Sequence, residues 1–145
     1  AKENLQNLIN SIEKKANEIQ FEKPIFLKIS PDESDQIIEM IVDLIENSII
    51  SGLIATNSTI DKSNLSNMKY KSEQGGLSGK PLMKKATSKI SLIKSKCANI
   101  PIIGVGGVLN KDDFKLKLEK GADLVQIYTG FIIKGPKLIQ EILRD

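Results

Sequence analysis

The sequence predicts an α/β fold of four parallel βα units behind an N-terminal helix, and three observations carry that expectation. Hydrophobic spacing switches repeatedly along the chain between three-or-four and two. Short apolar runs alternate with helix-length amphipathic segments, the pattern of βα units in a parallel sheet. The run from Ile100 to Val108, IPIIGVGGV, ends in Gly104, Gly106 and Gly107. These strip side chains from the C-terminal end of a strand, where parallel α/β folds place their ligands and where bare amides can meet a phosphate.

Taken in order, Leu5, Leu8, Ile9, Ile12, Ala16 and Ile19 recur at three and four and predict the first helix. In KPIFLKIS the side chains alternate, so Ile25, Leu27 and Ile29 share one face and Phe26, Lys28 and Ser30 the other. Pro31 ends this strand. Asp32, Ser34 or Asp35 is the candidate N-cap of a helix striped by Ile37, Ile38, Ile41, Leu44 and Ile45. GLIAT predicts the second strand. The polar stretch from Asn57 to Lys80 is longer than ordinary connections and is therefore a functional lid or a disordered segment. A helix resumes after Pro81, passes Ile90 and Ile93 and ends near KCAN, and PIIGVGG is the third strand. A helix from about Lys111 to Lys120 is stopped by Gly121, DLVQIYT is the fourth strand, and a last helix begins near Pro136. Four such units make either a small open sheet or half of an eight-stranded barrel; polar and glycine residues at strand C-termini suit the active face of a barrel.

With 145 residues the chain has the length of one domain, and 40% hydrophobic with 27% charged residues is the composition of a globular protein. Its single cysteine, Cys97, allows no internal disulfide and is expected to pack as a small hydrophobe. The chain has no histidine, which excludes imidazole bases, His-based triads and HExxH zinc sites within it, and no metal site is expected. A net charge of +3 is spread over helix-like segments, and with no Trp, 2 Tyr and 4 Phe there is no set of stacking platforms, so a nucleic-acid partner is not expected. No apolar run approaches the roughly 20 residues that span a bilayer. The opening AKENLQNLIN has helix periodicity and not the pattern of a signal peptide.

Lys28 is the most informative single residue, because an amine in the middle of an apolar strand must reach solvent or find an anion. It is either a cation held near a group that gains negative charge or an exposed edge residue. ATNST, from Ala55 to Thr59, gathers donors and acceptors at the end of the second strand, where they cap a turn or hold a planar polar ligand. GGLSGKPL, from Gly75 to Leu82, offers Gly79 for a close backbone approach or a turn, and QIYTG closes the fourth strand with Tyr128 and Thr129. In barrels a phosphate often lies between the loops after the last two strands, and GVGG and YTG occupy those positions in order.

FLKISPD, GLIATNST, GGLSGKPL, IPIIGVGGV and GADLVQIYTGFIIKGP, in this order and spacing, closely resemble the C-terminal half of the class 2, quinone-linked dihydroorotate dehydrogenases. The resemblance covers nearly the whole chain. It implies the C-terminal half of a TIM (β/α)8 barrel, FMN as cofactor, dihydroorotate and orotate as substrate and product in pyrimidine biosynthesis, and quinone as electron acceptor. By position, Lys28, Thr56, Gly79, Gly107, Tyr128 and Thr129 would bind FMN, with Gly107, Tyr128 and Thr129 around its phosphate and Lys28 beside the flavin ring. Asn57 and Ser58 would bind the pyrimidine, Ser58 standing where the family more usually has Thr.

The resemblance further implies that residues 1–145 are a fragment of an FMN barrel, without the first strands, the quinone-tunnel helices and the loop carrying the general-base serine. No catalytic base is therefore assigned to Ser58 or Ser78. The complete enzyme would sit peripherally on a bacterial or mitochondrial inner membrane. Exposed strand edges in such a half-barrel would favour aggregation or pairing with another copy. A related FMN barrel acting on another pyrimidine and a non-catalytic half-barrel scaffold are the competing expectations.

Overall fold

The computed structural model describes residues 2–63, 65–66 and 68–144. Four strands, β1 (Ile25–Ile29), β2 (Ile50–Ala55), β3 (Ile102–Val105) and β4 (Leu124–Gln126), form one parallel sheet in the order β1-β2-β3-β4. Helix α1 (Lys2–Glu18) precedes the sheet, and α2 (Asp35–Ile45) joins β1 to β2. Between β2 and β3 come the short α3 (Met68–Lys71), a 3-10 turn over Lys80–Leu82 and α4 (Met83–Lys96). Helix α5 (Lys111–Glu119) joins β3 to β4, and α6 (Thr129–Lys134) and α7 (Pro136–Leu143) follow.

Strands laid down in sequential order by right-handed connections put their helices on one face of the sheet. That is the wall of a (β/α)8 barrel and not the reversing order of a doubly wound sheet, so the open-sheet alternative is set aside. Helix α2 packs on α4, α4 on α5 and α5 on α7, as successive barrel helices do.

The helix-facing rows are set by the register. Leu27, Leu53 and Ile102 align across the sheet, as do Ile29, Ala55, Gly104 and Val125. Leu53 and Ile102 are sealed against Ile38, Val42, Ile90 and Ile93, with Cys97 partly buried at the margin. The opposite face carries the row Lys28, Ile54, Ile103, Leu124.

Of the three candidate caps, Ser34 caps α2, its hydroxyl accepting from the Ile37 amide at 3.3 Å. The fourth strand is shorter than DLVQIYT, because the chain turns at Ile127 and Tyr128 and enters α6, a helix the hydrophobic spacing did not reveal. Within the polar stretch, Thr59 and Leu77 form a two-way bridge, N to O at 3.0 and 2.7 Å, which closes most of the stretch into a loop.

Candidate active site

The C-terminal ends of the strands open into a cavity of about 330 Å³. Lys28, Thr56, Asn57, Ser58, Gly79, Gly107, Tyr128 and Thr129, the residues singled out from the sequence, all line it. Ser78, Gly106, Val105 and Gln126 line it as well, and none of the described lining residues is acidic.

Three strand ends are tied together at its floor. The Asn57 amide donates to the Ile29 carbonyl at 2.8 Å, and the Thr56 amide to the Val105 carbonyl at 3.3 Å. Thr56 is buried, its hydroxyl donating to the Asn57 carbonyl at 2.9 Å, while Asn57 itself is exposed. The Ala55–Thr56 peptide bond is cis. Lys28 stands exposed on the inner face of β1 and supplies a positive charge to the cavity wall.

Behind Ser58 a carboxylate anchors the next residues. Asp32 accepts from the Thr59 hydroxyl, from the Ile60 amide at 2.8 Å and from the Lys85 amine on α4. Burial alone would raise Asp32, but the hydrogen bonds from Lys85, Thr59 and Ile60 outweigh it and hold the carboxyl below its ordinary value. Asp32 raises Lys85 in turn, against the opposing effect of burial.

The other wall is made of glycine turns. Gly107 has φ +82°, a conformation that side-chain-bearing residues rarely adopt, and a Cβ there would lie 2.4 Å from Met83 Cβ. Gly106 and Gly107 line the cavity, whereas Gly104 lies below it: a Cβ on Gly104 would approach Ala122 at 2.9 Å and Ile90 at 3.0 Å. The first of the three glycines in IPIIGVGGV therefore serves helix–sheet packing. Thr129 opens α6, and its hydroxyl donates to the Ser78 hydroxyl at 2.9 Å across the mouth. Gly130 permits the loop after β4 to lie against the loop after β3, since a Cβ there would meet the Val108 carbonyl oxygen at 2.1 Å.

A cation, several hydroxyls and side-chain-free amides gathered at the C-terminal ends of parallel strands define, by class, a (β/α)8-type half-barrel with its cavity on the face where such barrels carry their sites. The family model described as dihydroorotate dehydrogenase matches residues 1–145, and the chain belongs to that family. It is 48% identical over 121 residues to the dihydroorotate dehydrogenase (quinone) of Dichelobacter nodosus, covering 83% of this chain and 36% of the relative. It is 46% identical over 142 residues to the protein of the same name in Christiangramia forsetii, covering 97% and 42%. The crystal structure of ligand-free DHODH from Eimeria tenella superposes with a TM-score of 0.79 at 32% identity, covering 83% of this chain and 34% of that one. The chain thus spans well under half the length of these relatives.

Proposed function

We propose that this chain builds the FMN-phosphate cradle and part of the dihydroorotate site of a quinone-linked dihydroorotate dehydrogenase. The observation that carries the proposal is the convergence of Lys28, Asn57, Ser58, Gly79, Gly107, Tyr128 and Thr129 on one cavity. The donor set fits FMN. Gly106 and Gly107 present backbone without side chains, Thr129 and Tyr128 line the same cavity, Lys28 brings a cation, and no described lining residue repels an anion. The two relatives named as quinone enzymes support the substrate and the acceptor.

When bound, FMN would supply the hydride acceptor that the oxidation of dihydroorotate to orotate needs. The chain's own residues prepare that step. Lys28 holds a fixed positive charge where negative charge accumulates, so no solvent need reorganise to supply it. The Asn57 side chain pairs an amide donor with a carbonyl acceptor, and the Ser58 hydroxyl adds a third group, a set suited to the carbonyl and N–H edge of a pyrimidine. No base is assigned here. The Ser58 hydroxyl has no hydrogen-bond partner among the described residues, and the Ser78 hydroxyl is engaged by Thr129.

Quinone is a lipid-soluble acceptor, so the working enzyme meets it as a peripheral protein at an inner membrane. Among the described residues no helix is long and apolar enough to cross a membrane.

Titration of the chain with FMN, followed by visible absorption and flavin fluorescence, tests the cradle. Saturable binding is expected, weakened about tenfold by Lys28→Ala, one charge interaction's worth. Gly107→Val should abolish it, because the side chain must occupy space held by Met83. A folded chain that leaves FMN unbound, or a Gly107→Val variant that binds normally, overturns the proposal. With FMN loaded, orotate and uracil, which share the carbonyl and N–H edge, should both bind more weakly in Asn57→Ala.

A further inference from the structure

We infer that Asp113 is a positioning residue which, through Lys80 on one side and the Leu109 amide on the other, fixes the spacing between the Gly79 turn and the Gly106–Gly107 turn. The inference rests on the cavity being an FMN site.

Asp113 lies in the first turn of α5, three residues after its cap Asn110, whose side chain accepts from the Asp113 amide at 2.8 Å. In an ordinary capping box an acid in this place reaches back to the amide of the cap residue. Here one carboxylate oxygen accepts from the amide of Leu109, one residue earlier, at 3.0 Å. The other accepts from the Lys80 amine at 2.7 Å, across 33 residues of sequence. The carboxylate side chain is 9% exposed against 59% for Lys80, so the pair is anchored at its acidic end.

Each partner adjoins a cavity glycine. Lys80 directly follows Gly79, and Leu109 stands two residues after Gly107. The two turns also meet through Met83, which follows the Lys80–Leu82 turn and seats Gly107. Neither Lys80 nor Asp113 is among the described residues lining the cavity, so both act on a ligand through the turns they hold. Lys117, one helical turn further along α5, gives its amine to Thr87 and leaves the clasp to Lys80.

A clasp behind the phosphate should matter to the phosphate and not to the ring. The experiment is therefore a paired titration with FMN and with riboflavin, which lacks the phosphate, of the unsubstituted chain and of Lys80→Met, Asp113→Asn and Lys80→Arg. Positioning predicts an FMN Kd raised about fivefold in both Lys80→Met and Asp113→Asn, the size of one partly exposed ion pair. The riboflavin Kd should stay within about twofold, and Lys80→Arg, which keeps the pair, should restore FMN affinity.

Through-space charge alone would move the two variants oppositely, since losing Lys80 disfavours phosphate and losing the Asp113 charge favours it. Tighter FMN binding by Asp113→Asn, or equal losses for both flavins, overturns the inference. Should Asp113→Asn fail to fold by circular dichroism, the FMN affinity of Lys80→Met at about 0.5 M salt decides. A lost positioning contact persists there, and a screened charge effect disappears. An unsubstituted chain that binds neither flavin overturns the functional reading and this inference with it. One that binds FMN while its variants keep the FMN-to-riboflavin ratio overturns this inference alone.

Discussion

At the β1–β3 end of the sheet Leu53, Ile90, Ile93 and Ile102 are completely buried, whereas at the β4 end Leu124, Tyr128, Ile132 and Ile133 are between 64% and 72% exposed. The helix side shows the same contrast. Around β1 to β3 a continuous core links α1, α2 and α4. Beside β4 the buried residues Val108, Leu138 and Ile142 form a small cluster of their own, with Phe114, Val125 and Ile127 leaning on it. The cavity straddles both regions. Lys28, Thr56, Asn57 and Ser58 hang from the thickly packed strands, while Tyr128 and Thr129 hang from the thinly packed one. Hydrophobic burial can fix the first group. The second depends on local devices: the packing of Gly130 against Val108 and the Thr129–Ser78 bond.

A pair of truncations tests the contrast most strongly. Ile90→Ala empties space between α4 and β3 that surrounding strands cannot fill, at a cost of about 4 kcal/mol in urea unfolding. Leu138→Ala is equally buried but sits in a cluster with freedom to collapse, so about 2 kcal/mol is expected. Equal costs, or the reverse order, would mean that the β4 end is as rigidly packed as the rest.

Lys117 marks the seam between the two regions. It is fully buried between α5, α4 and Gly104, and its amine donates to the Thr87 hydroxyl at 2.9 Å, which donates in turn to the Met83 carbonyl at 2.7 Å. Burial lowers its pKa from 10.5 to about 8, with the Asp113 charge opposing part of that fall. In the unfolded chain the amine keeps its proton up to about pH 10.5, so between pH 8 and 10.5 the unfolded state binds more protons and stability rises with pH. Below pH 8 the full cost, about 3 kcal/mol, is present and constant. Lys117→Met removes it. Relative to the unsubstituted chain, the variant should therefore gain about 3 kcal/mol more at pH 7 than at pH 10.5, other lysines cancelling in the difference. Parallel stability curves for the two proteins across that window would place the amine in contact with water.

Much of this was legible in the sequence wherever cause and effect lie close together. Alternation in KPIFLKIS puts Ile25, Leu27 and Ile29 toward the helices and Lys28 on the inner face, because side-chain direction follows the pleat. Glycines at the end of an apolar strand mark the turn that lines the cavity for the same local reason. Ser34, one of the three candidate caps, caps its helix through a bond three residues long. Helix α6 was not legible: TGFIIK has no period, its start has no side-chain cap, and Phe131, Ile132 and Ile133 stay exposed, so no burial pattern betrays it. Gly104 was misread as ligand-facing because its neighbours Ile90 and Ala122 come from other elements. The Asp32 anchor on Thr59, Ile60 and Lys85, and the Lys80–Asp113 clasp, join residues 27 to 53 apart, a distance at which spacing carries no signal.

The smallest expected effect on stability is also the sharpest on the thin end. Ile132 stands one turn after Tyr128 on α6, its amide donating to the Tyr128 carbonyl at 3.1 Å, and it is 72% exposed. Ile132→Ser removes no buried contact, so the unfolding free energy should stay within about 0.5 kcal/mol. The same change removes one of several exposed apolar side chains around β4 and α6, with Leu124, Tyr128 and Ile133, and exposed apolar surface drives association. Sedimentation velocity should accordingly find the unsubstituted chain self-associating at micromolar concentration and the variant shifted toward monomer. A loss of stability comparable to that of Leu138→Ala would instead make Ile132 part of the packed interior and erase the difference between the two ends of the sheet.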